Sequence, residues 1–223
     1  MKMTEQSDRP MLQIDSHGWC AQARRVPSPN CDARPDGVDV SLLVVHNISL
    51  PAGQFGGPYI SQLFTNQLDC SAVPEFASLI RLRVSAHFLI RRDGQLMQFV
   101  PTTQRAWHAG VSSFEGRERC NDFSVGVELE GTDLVSFTDA QYSRLTALTI
   151  ALQQAHPLRA VCGHAHVAPA RKTDPGPFFE WYRYQSQWAS GSAADAPKAG
   201  AFTPLRFVPD SGTASEKSTK KSM

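Results

Sequence analysis

Apolar residues form short unbroken runs at several places along the chain. Such runs occur in "SLLVVHN", "DFSVGVELEG" and "LRAVCG", and they are typical of strands that are covered on both faces. "SAHFLIRRDGQLMQFVP" has two β-rich runs on either side of Arg-Asp-Gly. Since Asp and Gly tolerate the positive φ of a tight turn, this segment is predicted to be a β-hairpin.

A helix is predicted where the apolar positions recur every three to four residues. "TDAQYSRLTALTIALQQAHP" opens with a Thr-x-x-Gln capping box at Thr138 and Gln141 and stops before Pro157. Its apolar stripe consists of Tyr142, Leu145, Leu148 and Leu152. "GGPYISQLFTN" and "PFFEWYRYQSQWA" are further helix candidates. The order of elements predicts an α/β fold with a central mixed β-sheet flanked by helices.

The two ends of the chain differ from its middle. Residues 1–12 are polar and are predicted to be a flexible extension, and residues 13–188 are predicted to form one domain. Residues 189–223 are rich in Ala, Ser, Gly, Pro and Lys and predict a disordered tail, because they cannot bury enough apolar surface to offset the entropy of ordering. Within this tail, "FTPLRFV" could dock against the domain in a packing role.

Composition and charge exclude several classes of protein. The chain has 223 residues, of which 41% are hydrophobic and 19% charged, enough for one sizeable core. A net charge of +1 gives no field that would favour nucleic acid or an anionic membrane. No signal-peptide core or membrane span is apparent, and five cysteines without a CxxC pair indicate reduced thiols. A cytoplasmic location is therefore expected.

A metal site is available from three residues in two segments. His164 and Asp174 lie in the loop "VCGHAHVAPARKTDPGP", and His46 ends the apolar run "SLLVVH". Catalytic zinc usually takes three such protein ligands and leaves a fourth position open. A histidine at a strand end is more often a satisfied polar residue, and the loop could be a solvated turn. Spacing alone therefore leaves both interpretations open.

A series of long motifs gives a specific resemblance. The motifs are "LLVVHNISLP", "RVSAHFLIRRDG", "RAWHAG", "RERCNDFSVGVELEGTD" and "GHAHVAPARKTDPGP". In this order, over about residues 19–181, the sequence resembles the AmpD family, cytoplasmic zinc amidases that cut 1,6-anhydro-N-acetylmuramoyl peptides. That family shares the fold of peptidoglycan recognition proteins and T7 lysozyme-type amidases. The resemblance implies the same mixed sheet packed with helices that the order of elements predicts.

The resemblance also implies roles for individual residues. One Zn²⁺ per chain would be bound by His46, His164 and Asp174. Glu128 would be the general acid and base that handles the proton of the attacking water, and Lys172 would support the oxyanion. These residue types suit the task, because a carboxylate can shuttle a proton and a fixed cation stabilises developing negative charge.

Two alternatives stay open beside these roles. His166 stands where the family more often has an acidic residue, as in "GHxDIAP", so an exchange of ligands is conceivable. His164 is preferred because it keeps the family's offset to Lys172 and Asp174. Glu130 is a rival base, because it lies on the same strand face as Glu128. Alternation does not separate the two, and the resemblance favours Glu128.

A further group of residues is implied to line the substrate groove. Arginine grips the carboxylates of a peptide stem, and an indole offers a flat face to a sugar ring. Trp107 could equally belong to the core, and His108 in "WHAG" is expected to border the metal pocket. The predicted substrate-binding residues are Asn47, Arg83, Trp107, His108, Arg119 and Arg171.

The functional hypothesis is a zinc-dependent N-acetylmuramoyl-L-alanine amidase. It would hydrolyse the bond between the lactyl group of 1,6-anhydro-N-acetylmuramic acid and L-Ala in cytoplasmic peptidoglycan recycling, and so influence β-lactamase induction. The expected partner is the anhydro-muropeptide, with no nucleic acid, membrane or obligate protein partner. Two rivals are a binding module of the same fold and an envelope-facing amidase. The complete ligand set argues against the first, and the missing signal segment argues against the second.

Overall fold

The computed structural model describes residues 11–194 and 204–208. The predicted N-terminal extension at residues 1–10 lies outside the described residues, and so do residues 195–203 and 209–223 of the predicted tail. No described helix is both long and apolar enough to cross a membrane.

Short strands alternate with four α-helices over the described residues. The strands are β1 (Arg24–Arg25), β2 (Cys31–Ala33), β3 (Leu42–Ile48), β4 (Phe88–Ile90), β5 (Leu96–Gln98), β6 (Gln104–Ala106), β7 (Ser113–Phe114), β8 (Arg117–Glu118), β9 (Ser124–Glu130), β10 (Ala160–Gly163) and β11 (Arg206–Val208). The helices are α1 (Tyr59–Phe64), α2 (Asp139–Ala155), α3 (His164–Val167) and α4 (Trp181–Ala194), with 3₁₀ turns at Pro74–Leu79 and Cys120–Asp122.

Seven strands form one sheet in the order β1-β5-β4-β9-β3-β10-β11. Only β4 and β5 pair antiparallel, as the predicted hairpin, and the other pairs in this sheet are parallel. The predicted central mixed sheet is therefore confirmed. Strands β3 and β9 lie side by side in its middle, with His46 opposite Glu128 in the register. Two small antiparallel sheets, β2-β6 and β7-β8, complete the strands.

The long helix follows the predicted pattern. Thr138 is its N-cap, and its hydroxyl accepts a hydrogen bond from the N–H of Gln141, whose side chain in turn accepts from the N–H of Thr138. The predicted stripe is buried and packs against the odd-numbered positions of β3 and β9, such as Val45 and Val127. The other helix candidates are confirmed as α1 and α4.

The opposite face of the sheet positions the functional groups. Because side chains alternate along a strand, His46 and Glu128 point away from the face that α2 covers. Separate apolar clusters occupy this second face, one beneath α1 around Leu89 and Phe99 and one around Val44 and Cys162. The polar site therefore lies between two apolar clusters on one face of the sheet.

Parts of the predicted tail are regular elements of the fold. Helix α4 continues to Ala194, beyond the predicted boundary at residue 188. The segment "FTPLRFV" contains β11, which pairs parallel with β10, and the ring of Phe207 packs against Tyr184 and Trp188. Residues 189–194 are thus helical where disorder was predicted, whereas the docking of "FTPLRFV" agrees with the packing role predicted for it. The bounds of the domain stay a prediction.

The capping box of α2 gives a first expected result. Replacing Thr138 by Ala removes the acceptor for Gln141 N–H and the hydroxyl that donates 2.7 Å to the carbonyl of Arg92. We expect the free energy of unfolding in urea to fall by about 1–2 kcal/mol. Ser143→Ala, at an exposed position inside the same helix, is the control and should change it by less than about 0.5 kcal/mol. Equal effects would contradict the cap's role.

Candidate metal centre

Three side chains converge at one edge of the sheet. Nδ1 of His46 lies 3.0 Å from Nδ1 of His164 and 3.0 Å from Oδ2 of Asp174, and the last two atoms are 3.1 Å apart. His46 is near the end of β3, and His164 directly follows β10, the parallel neighbour of β3. The loop returns Asp174 to the same point, and its carbonyl accepts from the N–H of Ala165 at 2.9 Å.

The donor set and spacing of this metal trio (His46, His164 and Asp174) fit zinc. A tetrahedral zinc ion with bonds of about 2.0–2.1 Å holds its nitrogen and oxygen ligands about 3.3 Å apart. The trio needs only a small expansion to reach that spacing. Two imidazoles and one carboxylate form a usual ligand set for catalytic zinc. Of the described residues, these three form a group that could hold a metal ion.

The protonation states within the trio also suit a cation. Burial is the main cause that lowers the pKa of His46, to about 4, while the carboxylate of Asp174 opposes this shift. Burial raises the pKa of Asp174, but its close contacts with the rings of His164 and His46 outweigh this and keep it far below its usual value. At neutral pH, His46 is therefore neutral and Asp174 is ionised, as metal ligands must be.

Glu128 lies beside the trio on the adjacent strand. It is opposite His46 in the β3–β9 pairing, and its Oε2 is buried without a hydrogen-bond partner among the described residues. Burial raises its pKa well above the usual value, the charge of Asp174 adds to this, and Lys172 opposes it. A buried carboxylate oxygen without a partner is costly in a purely structural role, which favours a chemical one.

Glu130 occupies a different environment, although it lies on the same face of β9. Its Oε1 accepts 2.7 Å hydrogen bonds from Nη1 of Arg91 and from the N–H of Gly56. Its Oε2 accepts from the N–H of Arg92 at 3.2 Å. This carboxylate is thus engaged in holding the end of β9 to two loops. Glu130, the rival base, is therefore held by structural hydrogen bonds, whereas Oε2 of Glu128 is not.

Lys172 and His166 lie in the segment between His164 and Asp174. Lys172 is exposed. Its positive charge adds to the effect of burial in lowering the pKa of His46, and it opposes the effect of burial that raises the pKa of Glu128. His166 points elsewhere: its Nδ1 accepts the N–H of Gly163 at 2.9 Å, and its ring meets the edge of Trp181. His166 is therefore not part of the metal trio.

The predicted substrate residues are distributed unevenly around the trio. Asn47 follows His46 and donates to Asp133 and to the carbonyl of Pro175. Arg171 donates to the carbonyls of Ala109 and Val111, and Ala109 also contacts His164. These two predicted residues thus lie at the rim of the site.

The remaining predicted groove residues have other contacts. Trp107 is partly buried and its backbone N–H donates to the carbonyl of Asn30 at 3.3 Å, while exposed Arg119 pairs with Asp122 at 3.3 Å. Arg83 is exposed and donates to carbonyls of its own loop. None of these three contacts reaches the metal trio among the described residues. His108 lies against His46 from within the fold, with 2.9 Å between Nδ1 of His108 and Nε2 of His46.

The residues that hold His108 in place were not predicted from the sequence. They are Gly126, Asn121 and Ser124. A Cβ on Gly126 would stand 2.4 Å from Cγ of His108, so only glycine admits the ring there. Oδ1 of Asn121 accepts the N–H groups of His108 and Ala109, and the hydroxyl of Ser124 contacts the far ring nitrogen. A glycine inside a strand is a signal of such a close approach.

Comparison with known proteins agrees with this architecture. The family model described as N-acetylmuramoyl-L-alanine amidase matches residues 36–177. The 1,6-anhydro-N-acetylmuramyl-L-alanine amidase AmpD of Citrobacter freundii is 61% identical over 171 residues, which cover 76% of this chain and 91% of that protein. A crystal structure of a selenomethionine AmpD derivative gives a TM-score of 0.75 at 59% identity and covers 78% of this chain and 98% of that chain.

The structure of a more distant relative has been solved with a bound substrate. It is the complex of the N-acetylmuramyl-L-alanine amidase AmiD from E. coli with the substrate anhydro-N-acetylmuramic acid-L-Ala-D-γ-Glu-L-Lys. It is 26% identical, with a TM-score of 0.50, and covers 78% of this chain and 65% of that chain.

Fold and site together define a hydrolase of amide bonds, built on a mixed sheet with polar groups converging at one edge. The chain belongs to the N-acetylmuramoyl-L-alanine amidase family, and its matches group it with the AmpD members of that family. The resemblance, the fold class and the enzyme class predicted from the sequence are therefore confirmed.

Proposed function

We propose that this amidase hydrolyses the lactyl–L-Ala bond of 1,6-anhydro-N-acetylmuramyl peptides, using one Zn²⁺ held by His46, His164 and Asp174. The observation on which this rests is the metal trio beside Glu128, whose buried Oε2 has no hydrogen-bond partner among the described residues. The choice of substrate is supported by the names of the relatives, which include AmpD of Citrobacter freundii at 61% identity.

Glu128 is the proton carrier in this proposal. When bound, zinc polarises the amide carbonyl and makes water a nucleophile at neutral pH. Glu128 accepts a proton as the water oxygen bonds to the carbonyl carbon, and it delivers that proton to the nitrogen of L-Ala as the C–N bond breaks. Burial raises the pKa of Glu128, and a less acidic carboxyl group is the stronger base toward the proton of water.

Lys172 and the rim residues act on the rest of the substrate. The exposed ammonium of Lys172 places fixed positive charge where the carbonyl oxygen becomes negative, and one such donor contributes about 3 kcal/mol in comparable enzymes. Asn47 and Arg171 at the rim, with Trp107, are proposed to contact the sugar and the peptide stem. We extend the same role to Arg83 and Arg119, and we propose that His108, the remaining groove residue that the resemblance implies, borders the metal pocket beside His46.

We place the reaction in cytoplasmic recycling of peptidoglycan, where removal of anhydro-muropeptides would restrain β-lactamase induction. A binding module of the same fold is the main alternative. It is disfavoured because all three candidate ligands, Glu128 and Lys172 are present. An envelope-facing amidase would also accept muropeptides with a reducing-end sugar, which makes substrate choice the discriminating measurement.

Mass spectrometry of anhydro-N-acetylmuramoyl tripeptide incubated with the purified chain tests this proposal. We expect release of free tripeptide, loss of that release after treatment with a chelator, and recovery when Zn²⁺ is added back. The same tripeptide on a reducing-end sugar should be cut more slowly. An intact anhydro substrate, in the presence of folded protein with bound metal, would refute the amidase proposal and favour the binding module.

A further inference from the structure

A row of polar groups continues from His46 into the interior, away from the metal trio. Nε2 of His46 lies 2.9 Å from Nδ1 of His108. Nε2 of His108 lies 3.1 Å from the hydroxyl of Ser124, and that hydroxyl donates 2.6 Å to the carbonyl of Cys120. Each ring nitrogen in this row therefore has one partner, and the row ends at a backbone group.

The carbonyl of Cys120, at the end of the row, fixes which group donates in each hydrogen bond. A carbonyl oxygen can only accept, so the hydroxyl of Ser124 donates its single proton to the carbonyl of Cys120. The hydroxyl oxygen of Ser124 must then accept from Nε2–H of His108. In neutral His108 the other nitrogen, Nδ1, is then an acceptor. Nε2 of His46 must therefore be the protonated nitrogen of that ring. The lone pair of His46 is left on Nδ1, the atom that belongs to the metal trio.

The surroundings hold His108 in this arrangement. The ring lies against the bare backbone of Gly126, and Asn121 fixes the N–H of residue 108. The two ring nitrogens of His108 face the hydroxyl of Ser124 and the ring of His46, and neither partner carries the negative charge that would favour a charged ring. The adjacent His87 is occupied, because its Nδ1 accepts from Gly126 N–H and its Nε2 contacts the carbonyl of Gln104.

We propose that His108 and Ser124 are positioning residues that fix His46 in the tautomer whose Nδ1 can bind the metal. The inference rests on the proposed zinc function and adds two residues to it. His164 achieves the same result in one step, because its Nε2 lies 3.2 Å from the carbonyl of Ala109. Partners of this kind typically change metal affinity by about 10–100-fold when they are removed.

Two substitutions of His108 with side chains of nearly equal shape test its contact with His46. In His108→Asn the amide oxygen can take the place of Nδ1 and accept from His46, whereas His108→Leu has no acceptor. With the full chain and a chromophoric chelator as competitor, we expect the Leu variant to bind Zn²⁺ about 10–100-fold more weakly than the wild type. The Asn variant should bind more tightly than the Leu variant. Equal affinity of wild type and both variants would overturn the proposal.

Ser124→Ala tests the second step and removes only one oxygen atom. Without the hydroxyl, His108 can place its proton on either nitrogen, and we expect a smaller loss of Zn²⁺ affinity than in His108→Leu. His156→Leu is the matched control, because this partly buried histidine contacts Thr102 and not the metal trio. Its Zn²⁺ affinity should equal that of the wild type. If His156→Leu lost as much Zn²⁺ affinity as His108→Leu, the effect would be a general destabilisation, and the proposed positioning role would be refuted.

Long-range ¹H–¹⁵N spectra of the metal-free protein give a readout independent of zinc. We expect His46 to carry its proton on Nε2 in the wild type and in His108→Asn, and to lose this preference in His108→Leu. A wild-type chain that binds no Zn²⁺ would refute the proposed function, and the tautomer of His46 would still decide the positioning role. An Nδ1–H tautomer in the wild type would overturn that role.

Discussion

Glu128→Gln is expected to lower kcat for anhydro-muropeptide hydrolysis by about 10²–10⁴-fold without weakening zinc binding. The amide keeps the shape of the side chain but can neither accept the proton of water nor return one to the leaving nitrogen. Oε2 of Glu128 has no hydrogen-bond partner among the described residues, so the substitution breaks no structural contact of that atom. Tripeptide release, measured together with Zn²⁺ content, checks this prediction.

Glu130→Gln is the matched control, on the same strand and the same face. Its carboxylate pairs with Arg91 at 2.7 Å and accepts two backbone N–H groups. Weakening a buried pair of this kind lowers stability, so we expect a lower melting temperature and a kcat within about tenfold of wild type for the folded protein. If Glu130→Gln abolished turnover while Glu128→Gln retained it, the two roles would be reversed.

Local sequence patterns were sufficient for most of the fold. The continuous apolar runs became β3, β9 and β10, and the Arg-Asp-Gly segment became the β4–β5 hairpin. The capping box placed the start of α2 because both of its hydrogen bonds join residues only three apart. These elements depend on neighbours in the sequence, which is why the pattern of the chain predicts them.

Elements defined by distant partners could not be predicted in the same way. Strand β11 looks like part of a polar tail because it is three residues long, and it forms by pairing with β10 and packing Phe207 against α4. Strands β7 and β8 are a different case, because they pair with each other across the turn at Glu115 and Gly116 and are too short to show a periodicity. For β11, local propensity does not record the tertiary contacts on which the strand depends.

The site shows the same division. Residue type and spacing make His46, His164 and Asp174 candidate ligands, the resemblance selects them, and the structure brings these three together. Alternation does not separate Glu128 from Glu130, whereas the resemblance and the hydrogen-bond partners of each carboxylate do. The tautomers of the histidines depend on hydrogen bonds across strands and loops, and the sequence does not contain that information.

Asp174→Asn is expected to abolish zinc binding under assay conditions and to reduce turnover at least as strongly as Glu128→Gln. The substitution preserves shape but removes the single negative charge of the metal trio, and with it the anionic ligand that two neutral imidazoles cannot replace. Since a ligand that binds only the folded state stabilises it, Zn²⁺ should raise the melting temperature of the wild type. It should not raise that of the variant.

Asp133→Asn separates this effect from a general loss of nearby charge. Oδ1 of Asp133 accepts 2.7 Å from Asn47, next to His46 in sequence, but Asp133 is not part of the metal trio. We expect this control to keep the full zinc-dependent rise in melting temperature, even if its substrate affinity changes. A rise retained in Asp174→Asn would instead mean that the ion is held by other groups. Asp174 would then act by orienting His46 and His164, both of which it contacts.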